Sequence, residues 1–219
     1  MLPPVVLFDL DGTLIDSVPL IVASMRHAFE GHPDAPPVAE WVSLIGTPLD
    51  TMIRRWAGDE ADVARVKERY KEHQWAHHDA MVRAFPGVPA LLDALTSRGV
   101  RMAVVTSKLE PSARRSLDFV GLSRHFAFLV GLESTERHKP DPEPVLHALG
   151  RLGARPEEAA FVGDSPHDVV AGNAAGVGTV ATLWGPFSRE ALARVRPRAW
   201  AASPEEVLPA LEGLGIPGA

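Results

Sequence analysis

One stretch decides the fold: Val5-Val6-Leu7-Phe8-Asp9-Leu10-Asp11-Gly12-Thr13-Leu14, in which a short apolar run ends in two carboxylates and a glycine. The run from 5 to 8 has the length and β-branched content of a buried strand. Parallel strands that are covered on both faces are continuously apolar, and open α/β sheets bind ligands at their carboxyl ends. Asp9 and Asp11 therefore mark the predicted functional edge of a sheet.

Two features of this stretch bear on its chemistry. Asp9 and Asp11 are two positions apart, so their carboxylates repel each other unless a cation lies nearby, and a divalent cation is the usual partner. Gly12 allows a positive φ or a close approach of the main chain to a ligand. An isolated Asp-x-Asp also fits turn or cap residues at a strand–loop junction, so the functional interpretation depends on the rest of the chain.

Composition excludes several classes of protein. The chain has 219 residues, of which 46% are hydrophobic and 23% charged, as in globular proteins with a substantial core. A net charge of −6 argues against nucleic-acid or acidic-membrane partners. The absence of Cys excludes disulfides, thiolate metal sites and cysteine nucleophiles. We expect a cytoplasmic protein without a signal peptide or membrane span, although a chain without Cys is also compatible with export. Monomer and dimer both remain open.

Helical patterns dominate the region that follows the first strand. We predict helices at 18–29, with Asp16 or Ser17 as its cap, at 48–56 and at 60–78, and no convincing strand between about 16 and 83. This insert departs from the predicted sheet domain just after the first carboxylates. An insert at that position can act as a lid over the site. The predicted domains are a helical cap at 16–83 and a core at 1–15 and 84–219.

An α/β rhythm begins near residue 85. Predicted strands at 101–105, 127–130, 159–162, 179–183 and 199–201 alternate with predicted helices at 88–97, 111–120, 142–152, 166–175 and 204–214. Such alternation is typical of βαβ units and a parallel sheet. The predicted fold class is therefore α/β, with a Rossmann-like parallel sheet that has helices on both faces and with an inserted small all-α cap domain.

Polar residues also follow the second and third strands of this sheet. Thr106 can donate to a phosphate oxygen, with the N–H of Ser107 beside it, although a helix cap is an equal alternative. Lys139, in the run Lys139-Pro140-Asp141-Pro142, can neutralise both a carboxylate and a phosphoryl group. The alternative is an exposed loop lysine, which is the common environment of this residue type.

The fourth strand end adds two more acids. Asp164 follows the strand directly, in the run Gly163-Asp164-Ser165-Pro166-His167-Asp168, and can share a cation with Asp9. Asp168 lies in the first turn of the next helix, where it can hold a metal-bound water or stabilise the helix dipole.

Acid, hydroxyl, cation and acid thus follow four strands in turn, and in this order they resemble the four signatures of the haloacid dehalogenase (HAD) superfamily of phosphohydrolases. The first signature is similar to Asp9–Leu14, the second has its Thr or Ser at Thr106, the third is similar to Lys139 with its prolines, and the fourth to Asp164 and Asp168. The resemblance covers nearly the whole chain and is strongest outside the helical insert.

The resemblance implies a mechanism. Asp9 attacks phosphorus to form an aspartyl-phosphate, and Asp11 protonates the leaving oxygen and later deprotonates water. The implied cofactor is Mg²⁺, held by the Asp9 carboxylate, the Asp11 carbonyl and Asp164, with Asp168 acting mainly through its neighbours. Dehalogenases lack an acid at the position of Asp11, so phosphoryl chemistry is favoured. The predicted substrate-binding residues are Leu10, Gly12, Thr13, Ser107, Lys108 and, in the cap loop Gly46-Thr47-Pro48, Gly46.

The substrate class remains open at this level. The small cap and its Gly-Thr-Pro loop resemble phosphoglycolate phosphatases, which makes a small phosphorylated metabolite of this kind the first expectation. Residues 70–82 and 138–144 also resemble HAD-type inorganic pyrophosphatases. Broad specificity, a sugar-phosphate mutase and a non-catalytic phospho-ligand binding protein are further alternatives. The last is disfavoured because no catalytic carboxylate or lysine is lost. His77-His78-Asp79 is interpreted as surface polar residues, and the Gly46 loop fits a simple helix–helix turn equally well.

Overall fold

The computed structural model describes residues 1–216, so the last part of the predicted core range, 217–219, lies outside the described residues. Eight strands occur in this part of the chain. They are β1 (Val5–Phe8), β2 (Ile15–Asp16), β3 (Arg83–Ala84), β4 (Arg101–Val105), β5 (Leu129–Val130), β6 (Ala159–Gly163), β7 (Gly178–Thr182) and β8 (Ala199–Ala201).

Six of these strands form one parallel sheet in the order β5-β4-β1-β6-β7-β8. Phe8 at the end of β1 is in register with Val104 on one side and Val162 on the other. The carboxyl ends of β1, β4 and β6 therefore reach the same edge, and the residues that follow them lie together there. The predicted α/β fold class is confirmed.

Ten α-helices occur within residues 1–216. They are α1 (Val18–Ala28), α2 (Val38–Val42), α3 (Leu49–Ile53), α4 (Glu60–Met81), α5 (Val88–Ser97), α6 (Glu110–Phe119), α7 (Glu143–Leu152), α8 (Pro166–Ala175), α9 (Arg189–Ala193) and α10 (Val207–Gly213). None of these helices has both the length and the apolar character that crossing a bilayer requires.

Alternation along β1 explains why both faces of the sheet are covered. Val6 and Phe8 pack with apolar residues of α5, α6 and α10 on one face, whereas Val5 and Leu7 pack with those of α7 and α8 on the other. All four side chains are buried, because successive residues of a strand point to opposite faces. This double burial is the physical reason for the continuous apolar run in the sequence.

The helices α1 to α4 have an apolar core of their own. Trp41 at its centre is fully buried and packs near Phe29, Trp56 and Tyr70, with ring centroids 5.8 to 6.2 Å apart. The long helix α4 begins at the cap residue Asp59, whose carboxylate accepts a hydrogen bond from a main-chain N–H in the first turn. A separate core of this kind supports the predicted cap at 16–83, which we retain as a proposal.

Four short elements correct the sequence prediction. Strands β2 and β3 pair antiparallel, with Asp16 opposite Arg83, so the expectation of no strand between about 16 and 83 is wrong at its two ends. They lie where the chain enters and leaves the helical segment. The helices α2 and α9, of five residues each, were not predicted either.

Candidate active site

Lys139 connects two carboxylates at the carboxyl edge of the sheet. Its Nζ donates to Asp9 Oδ1 at 2.7 Å, to Asp168 Oδ1 at 2.6 Å and to the carbonyl of Val105 at 3.3 Å. The lysine is only 2% exposed and Asp9 only 3% exposed, so the alternative of an exposed loop lysine is wrong. A buried cation is thereby held directly against the carboxylate that follows β1.

Asp9, Asp164 and Asp168 form a buried acidic triad. One carboxylate oxygen of each lies within 4.8 Å of the other two. Thr13 donates its hydroxyl to Asp164 Oδ1 at 2.6 Å, whereas Asp164 Oδ2 is buried and has no hydrogen-bond partner among residues 1–216. An unpartnered anionic oxygen is costly in a protein interior, and a cation would satisfy it.

Two glycines leave the space that Asp164 occupies. A Cβ atom at Gly12, whose φ is +88°, would lie 2.5 Å from Asp164 Oδ2, and one at Gly185 would lie 2.4 Å from Asp164 Cβ. Any side chain at either position would therefore displace the carboxylate. Gly12 was predicted from its local motif, but Gly185 was not, because its role depends on a loop that follows β7.

The pKa values of the site show that it is short of positive charge. Burial, followed by the charge of Asp168, raises the pKa of Asp9 to about 7, and burial raises the pKa of Asp164 well above its usual range. Burial alone would lower the pKa of Lys139, but the charges of Asp168 and Asp9 outweigh it and raise that pKa. One lysine does not compensate three carboxylates, and a hard divalent cation with oxygen ligands fits the deficit.

Asp168 is fixed from two sides. The Ser165 N–H and hydroxyl donate to Asp168 Oδ2 at 3.0 and 2.7 Å, and the Asp168 N–H donates back to Ser165 Oγ at 3.3 Å. This reciprocal pair forms a capping box at the start of α8. The other carboxylate oxygen is thereby directed at Lys139, so one residue caps the helix and anchors the lysine.

Asp11 lies apart from this triad. Its Oδ1 accepts hydrogen bonds from the Ser17 hydroxyl at 2.6 Å and from Lys108 Nζ at 2.8 Å. Ser17, one of the two predicted cap residues, is the N-cap residue of α1, but its side chain accepts no hydrogen bond from the first turn. Its hydroxyl donates to the carboxylate of Asp11.

The predicted phosphate-binding residues surround Asp9. Thr106 is buried, and its Oγ1 accepts a hydrogen bond from the Lys108 N–H at 3.2 Å. The N–H of Gly12 donates to the carbonyl of Ile15 at 2.9 Å, which engages it within the loop. The N–H groups of Leu10 and Asp11 form no hydrogen bond within residues 1–216, so these two amides remain available for an anion.

The loop between α2 and α3 reaches the strand ends. Ser107 donates its hydroxyl to the carbonyl of Gly46 at 2.6 Å. Gly46 has a φ of +99°, and a Cβ atom there would lie 3.0 Å from Ser165 Oγ and 3.3 Å from His167 Cδ2. The loop therefore contacts the residues that follow β4 and β6, and its glycine permits the close approach.

His78 was missed by sequence analysis. It is buried, its Nδ1 hydrogen-bonds to Asp79 at 2.7 Å, and its Nε2 hydrogen-bonds to Ser116 in α6 at 2.8 Å. The interpretation of His77-His78-Asp79 as surface residues is thus wrong for His78. Its partner lies 38 positions further along the chain, and no local pattern predicts such a contact.

The fold and this lysine-bridged acidic site define an α/β phosphohydrolase. Residues 6–182 match the family model of haloacid dehalogenase-like hydrolases. Similar proteins include the pyrophosphatase PpaX of Halalkalibacterium halodurans, 39% identical over 80% of both chains, and that of Bacillus pumilus, 36% identical over 88% of both. A crystal structure described as a predicted phosphoglycolate phosphatase from Haemophilus somnus has a TM-score of 0.87, with 25% identity over 94% of this chain and 96% of its own.

The chain belongs to the haloacid dehalogenase-like hydrolase family, and it is a phosphatase of that family. The predicted resemblance, the fold class and the phosphohydrolase class are confirmed.

Proposed function

We propose that the chain is a Mg²⁺-dependent phosphohydrolase that acts on a small phosphorylated metabolite through an aspartyl-phosphate on Asp9. The observation that carries this proposal is the direct bond of 2.7 Å between the buried cation of Lys139 and the Asp9 carboxylate. A carboxylate attacks an anionic phosphoryl group only where positive charge offsets their repulsion. Lys139 supplies such charge beside the reacting oxygen.

The proposed reaction has two steps. An Asp9 oxygen forms a bond to phosphorus while the bond between phosphorus and the leaving oxygen breaks, and Asp11 gives that oxygen its proton. Asp11 then takes a proton from the water that attacks the aspartyl-phosphate, which releases phosphate and restores Asp9. The Asp11 carboxylate lies outside the acidic triad and bonds to Ser17 and Lys108, so it is separated from the nucleophile.

The cation and phosphate sites follow from the same residues. The Asp9 and Asp164 carboxylates and the Asp11 carbonyl would hold Mg²⁺, which supplies charge neutralisation when bound. Asp168 positions Lys139. Thr106, Ser107 and the free amides of the 9–13 loop bind the phosphoryl oxygens, and the Gly46 loop excludes water from them.

Two substrates are favoured by similarity. PpaX relatives that are 36% to 39% identical are named pyrophosphatases, which supports pyrophosphate. The fold neighbour described as a phosphoglycolate phosphatase, at 25% identity, supports 2-phosphoglycolate, the first expectation from sequence. We also propose that residues 16–83 act as a cap domain over the core, in a cytoplasmic monomer or dimer.

The test is phosphate release with Mg²⁺ over a panel of 2-phosphoglycolate, pyrophosphate, sugar phosphates and nucleotides, with an EDTA arm. We expect one preferred class, no release in EDTA, and a loss of more than about a thousandfold in Asp9→Asn. Asp16→Asn is the matched control, because it removes a carboxylate from the same segment but outside the triad. No release from any substrate, or a tenth of the activity retained in Asp9→Asn, would overturn the proposal.

A further inference from the structure

A single cavity of about 620 Å³ extends from Asp9 and Asp11 outward between α4 and α6. Residues of α4 line one wall, among them Lys67, Tyr70, Lys71, Gln74, Trp75 and His78. Ser112 and Arg115 of α6, with Lys108 and Leu109 before it, line the opposite wall. A cavity of this size suits a drug-sized ligand and is far larger than glycolate or a second phosphate requires.

Most cations of this outer part are already neutralised. Lys67 pairs with Asp50 at 2.6 Å, Lys108 with Asp11 at 2.8 Å and Arg115 with Asp79 at 2.9 Å. Only Lys71, among the cations that line the cavity, has no ion pair within residues 1–216, and Glu68 and Glu72 line the same wall. A doubly charged leaving group such as the second phosphate of pyrophosphate would therefore find little unpaired positive charge.

Apolar and aromatic side chains form a large part of the remaining outer lining. Ile21, Ile45, Leu49, Met52, Leu109 and Leu132 contribute aliphatic surface. Trp75 also lines the cavity and is 61% exposed. Arg115 lies over the Trp75 ring, with its Cζ 4.0 Å from the ring centroid, and donates to the main-chain carbonyl of Trp75 at 3.0 Å, so the indole is held in place while much of it stays exposed.

We propose that this outer part binds an uncharged leaving group that carries a planar ring, and that the preferred substrates are nucleoside monophosphates. The inference rests on the proposed function and narrows its substrate class. The phosphate lies at Asp9, the sugar passes the aliphatic walls, and the base stacks on Trp75. Stacking of a base on an aromatic side chain is sequence-tolerant, because every base has a π-face. Several bases are thus expected to be accepted.

The test compares nucleoside 5′-monophosphates with ribose 5-phosphate, in the presence of Mg²⁺. Both release a primary 5′-alcohol, so the chemistry of the leaving oxygen is matched and only the base differs. We expect kcat/KM to be about tenfold or more higher for AMP and UMP than for ribose 5-phosphate, as base stacking allows. We also expect it to exceed the value for pyrophosphate.

Substitutions of Trp75 test whether this residue causes the difference in kcat/KM between nucleotides and ribose 5-phosphate. Trp75→Ala is expected to reduce the ratio of nucleotide to ribose 5-phosphate efficiency by about tenfold, and Trp75→Phe to retain most of it. Phe119→Ala is the matched control. Phe119 is an exposed aromatic residue like Trp75, but it lies on α6 and does not line the cavity. A ratio below twofold in the unmodified chain, or a ratio unchanged in Trp75→Ala, would overturn the inference. Absence of release from every phosphoester would instead refute the proposed function.

Discussion

The Ser17 hydroxyl donates a hydrogen bond of 2.6 Å to Asp11 Oδ1, so the start of the helical segment is joined to the proposed acid of the reaction. Ser17 is fully buried and directly precedes α1. Lys108 reaches the same oxygen from the core at 2.8 Å. The carboxylate is thus held between the helical segment and the sheet, and its orientation depends on where that segment lies.

Removal of this hydroxyl is expected to impair proton transfer selectively. A hydrogen bond to a charged group contributes about 1.5 to 3 kcal/mol, so Ser17→Ala should reduce kcat/KM for alkyl phosphates by about tenfold or more. It should reduce kcat/KM for 4-nitrophenyl phosphate much less, because that leaving group departs without a proton and kcat/KM does not include the later hydrolysis of the aspartyl-phosphate. Ser24→Ala is the control, since Ser24 is a buried serine of the same helix that bonds to His73. Equal losses on both substrates would contradict the positioning role.

Asp9→Asn is expected to make the metal-free protein more stable at alkaline pH. The pKa of Asp9 rises from 3.8 to about 7 on folding, mainly through burial. The folded state therefore binds this proton more tightly than the unfolded state does. The stability that the bound proton contributes is complete below pH 3.8 and is lost as the pH rises through about 7. Asparagine does not titrate. The stability gain of the variant should be about 2 kcal/mol larger at about pH 8 than at about pH 5.5.

Urea unfolding in EDTA at the two pH values measures this difference. Asp164 titrates in both proteins, but the charge of Asp9 raises its pKa, so the loss of that charge adds to the gain of the variant at alkaline pH. A gain that is independent of pH would show that Asp9 is not the titrating group.

A methyl group beside Asp164 is expected to weaken the cation site. Gly185→Ala places a Cβ 2.4 Å from Asp164 Cβ, and the buried carboxylate has to move. Disturbing the position of a metal-binding carboxylate reduces metal affinity by about tenfold or more. The Mg²⁺ concentration that gives half-maximal activity should therefore rise by that factor. Gly150→Ala is the control, because no atom lies within 4 Å of the added Cβ. An unchanged Mg²⁺ titration would reject Asp164 as a ligand.

The strand ends of the site were predictable from the sequence, because local composition determines them. The apolar run before Asp9 is buried on both faces, and a parallel sheet brings the ends of β1, β4 and β6 to one edge. The order of acid, hydroxyl and cation along the chain was therefore sufficient to anticipate which residues lie near each other. Their individual catalytic roles remain predictions.

Contacts between distant segments were not predictable in the same way. Gly185 adjoins Asp164 through the path of one loop, and His78 bonds to Ser116 across two helices. Ser17 occupies the N-cap position of α1, but its Oγ accepts no hydrogen bond from the first turn, and its hydroxyl donates to the Asp11 carboxylate six positions earlier. Such choices depend on tertiary geometry, and a single sequence contains no local signal for them.

Loss of the buried lysine is expected to leave two carboxylates without a counter-charge. Lys139→Met removes the bonds to Asp9 and Asp168, and breaking a buried ion pair in this way costs about 3 to 5 kcal/mol. Phosphate release should also disappear, because the nucleophile loses the charge beside it. Lys71→Met is the control, since Lys71 has no ion pair among residues 1–216. Urea unfolding in EDTA measures the stability of both variants.

The double variant Lys139→Met with Asp168→Asn separates charge from packing. Asp168→Asn removes one of the two stranded carboxylates, so the double variant should recover part of the stability that Lys139→Met loses, by about 1 kcal/mol or more. It should not recover activity, because Asp9 still lacks its cation. If the losses of the two single variants simply add, the lysine and Asp168 do not interact energetically, and the charge explanation of their contact is wrong.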